Sequence, residues 1–335
     1  MNKLSIIIPV YNLEKYIGKC LDSLIKQLPL DGSVQVYTID DGSKDHSKSV
    51  IQSYEEKNHC IHYVYKENGG VSSARNLGLE LIDSEYVTFI DGDDWVSDDY
   101  LSIILDELKK EPELLCFNCF FVTDSKSIQK IWVTNEKVNL NPGDGMYGFL
   151  QFKYQKTFKP YIWNKIYKLE TIRMNHCKFD ENKKFAEDML FNADYLECID
   201  SYQTIDNGLY YYYQREGSTM NSYKSYFVDD TLEFIKIYND ISSKHHLDLD
   251  ENSLYTFYLS RYFGIINNEG KSKQFKKGWK QIQKYLNYTN FKNGKLKRLH
   301  FSKLDLKCKA YSICIQFHLT LLIYTIVYLR YLIIR

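Results

Sequence analysis

The sequence predicts an α/β fold built on a mostly parallel sheet, and three features of the chain lead there. Strand-like and helix-like stretches alternate through the first ninety or so residues, as right-handed βαβ units require. Polar clusters follow directly on the strand-like runs, at the carboxyl ends where such sheets place their ligands. After residue 113 the alternation gives way to paired strands, and later to helices.

Residues 4–10 (LSIIIPV) form a short β-branched run and read as a buried strand. Tyr16, Ile17, Cys20, Leu21, Leu24, Ile25 and Leu28 then share one helical face, with Asn12 expected to cap its start. Residues 34–39 (VQVYTI) make the second strand and end in Asp40-Asp41-Gly42-Ser43. A polar helix and a third strand, 62–65, lead to the turn Asn68-Gly69-Gly70. The next helix is expected to bury Ala74, Leu77, Gly78, Leu81 and Ile82. Strand 86–90 runs into Asp91-Gly92-Asp93-Asp94, and a helix from Ser97 gains from Asp98 and Asp99 near its N-terminus. Beyond these, ELLCFNCFFVT and SIQKIWV read as two strands joined by a short turn. Residues 185–197 read as a helix, 199–204 and 208–214 as two strands, and the chain from about 226 as helices.

Composition excludes several classes. The 335 residues are 44% apolar and 26% charged, close to the globular norm, which argues against a disordered, collagen-like or polytopic membrane chain. Lys+Arg and Asp+Glu are 43 each, so the wholesale phosphate neutralisation of a nucleic-acid binder is not expected. The eight cysteines lack the density of a disulfide scaffold. Cys116 and Cys119 resemble half a zinc ribbon, but no second pair follows, and in a buried strand residues three apart face opposite ways. The N-terminus has no signal-peptide pattern, which fits a reducing cytoplasm and leaves the sequon at Asn287 without meaning. The 30 tyrosines suit wet clefts or interfaces, and biased composition explains them equally well.

Asp91, Asp93 and Asp94 crowd three carboxylates into four residues, which repel unless a cation joins them. A hard divalent ion shared with substrate phosphates suits such oxygens, and Gly92 would allow close backbone approach to a ligand. Alone, the cluster reads as an acidic turn before a helix. In this chain SIIIPVYN, IDDGS, ENGGVSSARN and FIDGDDW occur in that order. Together they resemble the nucleotide-sugar half of a family 2 glycosyltransferase of the bacterial capsule, exopolysaccharide or O-antigen type, with the GT-A fold. The resemblance is close over 4–100 and traceable to about 220. No GxxxxGK[ST] pattern occurs, against P-loop enzymes.

The resemblance implies a role for each matched residue. Pro9, Val10 and Tyr11 would wall the base and ribose, and Asp41 would accept a hydrogen bond from a uracil imide. Asn68 and Arg75 would line the nucleotide and diphosphate, beside a helix N-terminus that favours phosphate. Asp91 would touch the ribose and Asp93 would hold Mg²⁺ or Mn²⁺, with Asp94 adjoining. In the acceptor half Asp188 would be the catalytic base and Glu187 would orient the acceptor, although both acids also suit the first turn of a helix. Trp163 would stack on a sugar or belong to the core. Arg215 would close over the diphosphate or be loop surface.

On this reading residues 1–222 are the catalytic domain, split into halves 1–100 and 101–222, and 223–335 are a helical region. The run 310–329 is about the length that crosses a bilayer, but Gln316 and His318 make it a poor span. Lys295, Lys297, Arg298, Lys303, Lys307 and Lys309 precede it, so the tail 310–335 is expected either on an anionic membrane surface or packed on the protein. The function expected is metal-dependent, inverting transfer of a hexose or N-acetylhexosamine from a UDP-sugar to a glycan. The acceptor would be lipid-linked, at the inner face of the cell membrane. A nucleotidyltransferase and a catalytically silent nucleotide-sugar scaffold are the alternatives.

Overall fold

The structure, a computed structural model, describes residues 2–124, 126–130, 133–140, 159–183, 187–214, 223–244, 251–272, 274–289, 313 and 319–333. The chain divides into two compact units, 1–149 with 153–215, and 216–335 with 150–152.

The first unit opens with β1 (Asn2–Val10), α1 (Ile17–Ile25), β2 (Val34–Asp41), α2 (Ser47–Glu55), β3 (Ile61–Lys66), α3 (Val71–Leu81) and β4 (Ser84–Phe89). There follow β5 (Trp95–Val96), α4 (Tyr100–Glu107), the hairpin β6 (Leu114–Thr123) and β7 (Lys126–Lys130), and β8 (Glu136–Asn139). β9 (Lys165–Lys168), α5 (Leu169–Met174), α6 (Glu187–Leu196) and β10 (Ser201–Tyr213) complete it. One mixed sheet runs β3-β2-β1-β4-β9-β6-β10-β5, with β7 on β6 and β8 on β10. The quartet β3-β2-β1-β4 is parallel, and β9 joins it antiparallel.

Strand alternation divides the core between the two faces of the sheet. Ile6 and Ile8 join α1 and α4 on one face, and Ile7, Val87 and Phe89 join α3, α5 and α6 on the other. Cys119 and Cys116 fall in these separate layers, as strand geometry requires. Gly78 lets α3 close on β1: a Cβ there would lie 2.6 Å from Ile7 Cγ2.

Four local expectations are corrected. Asn12 does not cap α1. It sits at φ 53 and accepts from the Lys44 N–H at 2.8 Å, while the amides of Asn12, Leu13 and Glu14 donate to Ser43, Ser47 and Asp45. Leu81 is exposed and Leu79 is buried, because residues 176–179 cover a second side of α3. The expected helix from Ser97 begins at Tyr100, the preceding Trp95–Val96 being drawn into the sheet by β10. The two strands expected at 199–204 and 208–214 are one strand, β10, whose pairing with β6 continues through two register shifts, one on either side of Gly208.

The second unit is helical: α7 (Phe227–Lys244), α8 (Glu251–Gly270), α9 (Phe275–Tyr288) and α10 (Thr320–Ile333). Within it α10 packs on α8 and α9 through buried Tyr324, whose ring stacks on Phe275. Among the described residues no helix is long and apolar enough to cross a membrane.

Candidate active site

Parallel pairing carries the strand ends to one edge. Val10 lies opposite Asp40, and Asp41 opposite Lys66, so the loops after β1, β2 and β3 emerge side by side, next to the one after β4. Pro9 and Val10 are buried at the end of β1, and Tyr11 beyond them is 47% exposed.

Asp41 staples two of these loops together. Its carboxylate accepts from Lys66 Nζ (2.8 Å), Gly69 N (2.9 Å) and Gly70 N (2.8 Å), and its carbonyl from Asn68 Nδ2 (2.8 Å). That occupies three of the roughly four acceptor positions of a carboxylate. Gly42 sits at φ 76, where a Cβ would also come within 3.0 Å of the Asn68 amide nitrogen. Gly70, at φ 91, starts α3.

Arg75, one turn into α3, gathers acids from two other elements. Its guanidinium is 3.1 Å from Asp91 Oδ1 past the end of β4, and 2.8 Å from Asp188 Oδ1 and 3.5 Å from Glu187 Oε1 on α6. Arg75 is 3% exposed, and its Nε is a buried donor with no partner among the described residues. Burial works against its charge, and the three carboxylates outweigh that and hold the guanidinium firmly protonated. Burial raises Asp188 to about 7; Arg75 and Lys165 oppose the rise, while Glu187 and Asp91 add to it. A carboxylate with that pKa exchanges protons near neutrality, as a general base must.

Asp93 and Asp94 are adjacent and differ completely in setting. Asp94 is 1% exposed, and its two oxygens accept from Tyr210 Oη (2.6 Å) and Tyr213 N (2.7 Å), tying β10 to this loop. Tyr210 Oη in turn accepts from Asp91 N at 3.1 Å. Burial, with Asp91 and Asp93 adding to it, pushes the Asp94 carboxyl well above the usual range. Asp93 is half-buried. Gly92 is closely packed, since a Cβ there would meet Leu13 Cδ1 at 2.8 Å.

Trp163 is 3% exposed, with its indole parallel to the rings of Tyr161 at 4.7 Å and Tyr210 at 4.5 Å, a core position behind the site. Arg215 lies outside the described residues. Among the described residues no three His, Cys, Asp or Glu side chains are arranged to enclose a metal ion. Sequence reasoning missed Lys66, Tyr210, Lys165 and Asn192. Lys66 was the most accessible, standing in the polar cluster 66–70 at a strand end, and Lys165 lies in the segment 161–165 whose Trp163 was singled out; Tyr210 and Asn192 carry no motif of their own.

The chain has counterparts among known proteins. Residues 5–181 match the model of the family described as Glycosyl transferase family 2. The glycosyltransferase EpsJ of Bacillus subtilis is 31% identical over 218 residues, covering 64% of this chain and 62% of that protein. The poly(ribitol-phosphate) beta-N-acetylglucosaminyltransferase TarS of Staphylococcus aureus is 28% identical over 286 residues, covering 82% of this chain and 47% of that protein. The chain thus spans less than two thirds of the length of these curated relatives. The crystal structure of S. aureus TarS 1–349 in complex with UDP-GlcNAc superposes with a TM-score of 0.64 at 23% identity, covering 98% of this chain and 91% of that one. The fold is GT-A, as the mixed sheet and its flanking helices also indicate. With more than half of its residues matched, the chain belongs to glycosyl transferase family 2.

Proposed function

We propose that the protein is an inverting, metal-dependent transferase moving a hexose or N-acetylhexosamine from a UDP-sugar to a glycan acceptor in bacterial surface polysaccharide synthesis. The observation that carries this reading is the convergence of Arg75 with Asp91, Glu187 and Asp188 at the carboxyl ends of the parallel strands. A binding-only scaffold needs no carboxylate held near pKa 7. The choice of donor is supported by a structural neighbour that binds UDP-GlcNAc.

In this mechanism an acceptor hydroxyl oxygen attacks the anomeric carbon from the side opposite the diphosphate. The new C–O bond forms as the bond to the diphosphate oxygen breaks, UDP departs, and the hydroxyl proton passes to Asp188. Glu187, on the same first helical turn, orients the acceptor. Arg75 has a buried Nε–H to offer a phosphate oxygen, and the start of α3 adds its own positive end. Tyr11 and Asn68, both exposed at the strand ends, wall the nucleoside together with Pro9 and Val10. Asp41 has one acceptor position left for a base imide after holding the loop in place. Asp91 serves the ribose.

Divalent-metal binding is compatible with the donor set: Asp93 offers hard carboxylate oxygens at the end of β4, while those of adjacent Asp94 are committed to β10. When bound, Mg²⁺ or Mn²⁺ neutralises negative charge on the departing diphosphate.

A lipid-linked acceptor at the inner membrane face completes the proposal. On α10, Leu321, Leu322, Ile326, Leu329 and Leu332 are between 45% and 59% exposed, on the side away from Tyr324. Lys276, Lys277, Lys280 and Lys284 are exposed on α9 of the same unit. An apolar stripe accompanied by cations suits a helix lying in the plane of an anionic bilayer.

The test is a screen of UDP-sugars with soluble oligosaccharide acceptors, following UDP release. Release of UDP dependent on acceptor supports the reading; release of pyrophosphate instead would make the protein a nucleotidyltransferase.

A further inference from the structure

Behind Asp188 lies a buried cation that the mechanism above does not use. Lys165, at the start of β9, is fully buried, and its ammonium donates to Lys159 O (2.7 Å), Tyr161 O and Asn164 Oδ1 (2.7 Å). An ammonium has three donors to give, and these acceptors can engage each of them. The carbonyl between the two peptide acceptors, Pro160 O, accepts from Asn192 Nδ2 at 2.7 Å. The same Nδ2 donates to Asp188 O at 2.8 Å, and Asn192 Oδ1 accepts from Tyr167 Oη at 2.8 Å. Three consecutive carbonyls, 159 to 161, are therefore pinned by two buried side chains, one of which also grips the first turn of α6.

A lysine here is an expensive way to fill space. The acceptors named above are neutral oxygens, and a methionine of similar volume would avoid the cost of burying the charge. Burial pulls its pKa down to about 8, with Cys116 and Asp188 working the other way, so at neutral pH it remains mostly charged.

We propose that Lys165 is a positioning residue for the transfer step: it fixes the 159–161 turn, through which Asn192 holds the Asp188 turn of α6, and it keeps a positive charge near the Asp188 carboxylate at neutral pH. This rests on the reading of Asp188 as the base. The charged groups facing Asp188 are then Arg75 from α3, Asp91 after β4, Glu187 on its own helix and Lys165 from β9. Arg75 and Lys165 are the cations among these described groups, and each lowers its pKa.

Lys165→Met and Lys165→Gln separate the two contributions. Met removes charge and hydrogen bonds, while Gln keeps an amide donor without charge. In Lys165→Met, kcat should fall roughly ten- to a hundredfold, as expected when a reacting group is misplaced by an ångström or less. UDP-sugar affinity should stay within about twofold, because a group acting on the acceptor side leaves donor binding alone. The acid limb of the kcat–pH profile should move upward in both variants, since loss of a nearby cation disfavours the ionised carboxylate. Lys165→Gln should recover part of kcat while keeping the displaced limb. A folded Lys165→Gln enzyme with wild-type kcat and an unmoved acid limb would overturn the proposal, and that variant decides the matter if Lys165→Met does not fold. Asp188→Asn, measured alongside, keeps the two readings apart: retained transfer there removes the base, whereas lost transfer with a silent Lys165 removes only the positioning role.

Discussion

Arg75→Met is the perturbation whose outcome the structure predicts most fully. It leaves the side chains of Asp91, Glu187 and Asp188, which are 29%, 18% and 24% exposed, without their shared cation. Removing one partner from a buried ion pair costs about 3–5 kcal/mol. Partial exposure of the acids, and the readiness of Asp188 to take a proton, put this case near the lower end, at about 3 kcal/mol. For a unit of this size that corresponds to a fall in Tm of roughly 6–12 °C at about pH 8. The direction with pH follows from the charges. Without Arg75 the three acids repel, protonation relieves the repulsion, and the gap in Tm should narrow at about pH 5.5. Asp188 itself should rise above its value of about 7, because Arg75 is the principal group holding it down. The activity remaining should therefore show its acid limb displaced to higher pH. Differential scanning fluorimetry across pH and a kcat–pH profile read both effects. A Tm unchanged within about 2 °C at about pH 8, together with an unmoved acid limb, would refute the claim that Arg75 organises the site.

Three further outcomes are expected. Activity should depend on added Mg²⁺ or Mn²⁺ and be lost in Asp93→Asn, and full turnover in excess EDTA would contradict the metal assignment. Gly78→Ala should lower stability by about 1–3 kcal/mol in a urea melt, because the new methyl overlaps Ile7 where α3 closes on β1; an unchanged midpoint would show that the helix can shift at no cost. The protein should float with anionic liposomes and stop doing so when Leu322, Ile326 and Leu329 are replaced by Ser, while still turning over a soluble acceptor. Failure of the parent protein to float would end the membrane reading.

Much of the fold was legible because its signals are local. The run LSIIIPV, buried along its whole length, and the acidic clusters at strand ends depend on neighbours a few residues apart. The distinction between Asp93 and Asp94 was not legible. Identical in type and adjacent in sequence, they are separated by the arrival of Tyr210 and Tyr213, 116 and 119 residues later. Asp206-Asn207-Gly208 has the composition of a turn, yet pairing with β6 carries β10 through it with two register shifts. Asn12 has the chemistry of a helix cap, but the loop at 43–47 supplies side chains for those amides first. Lys165 could not be singled out from sequence because its partners are mostly backbone carbonyls, which no residue type announces.

The central claim is that one site binds a UDP-sugar and that Asp188 removes the acceptor proton there. Asp188→Asn, assayed for UDP-sugar binding by calorimetry and for transfer by UDP release, tests it most directly. The account predicts donor affinity within a few-fold of the parent protein and transfer reduced by roughly 10²–10⁴, the contribution typical of a general base. Donor binding that collapses in the folded variant, or transfer that continues at the parent rate, would contradict it.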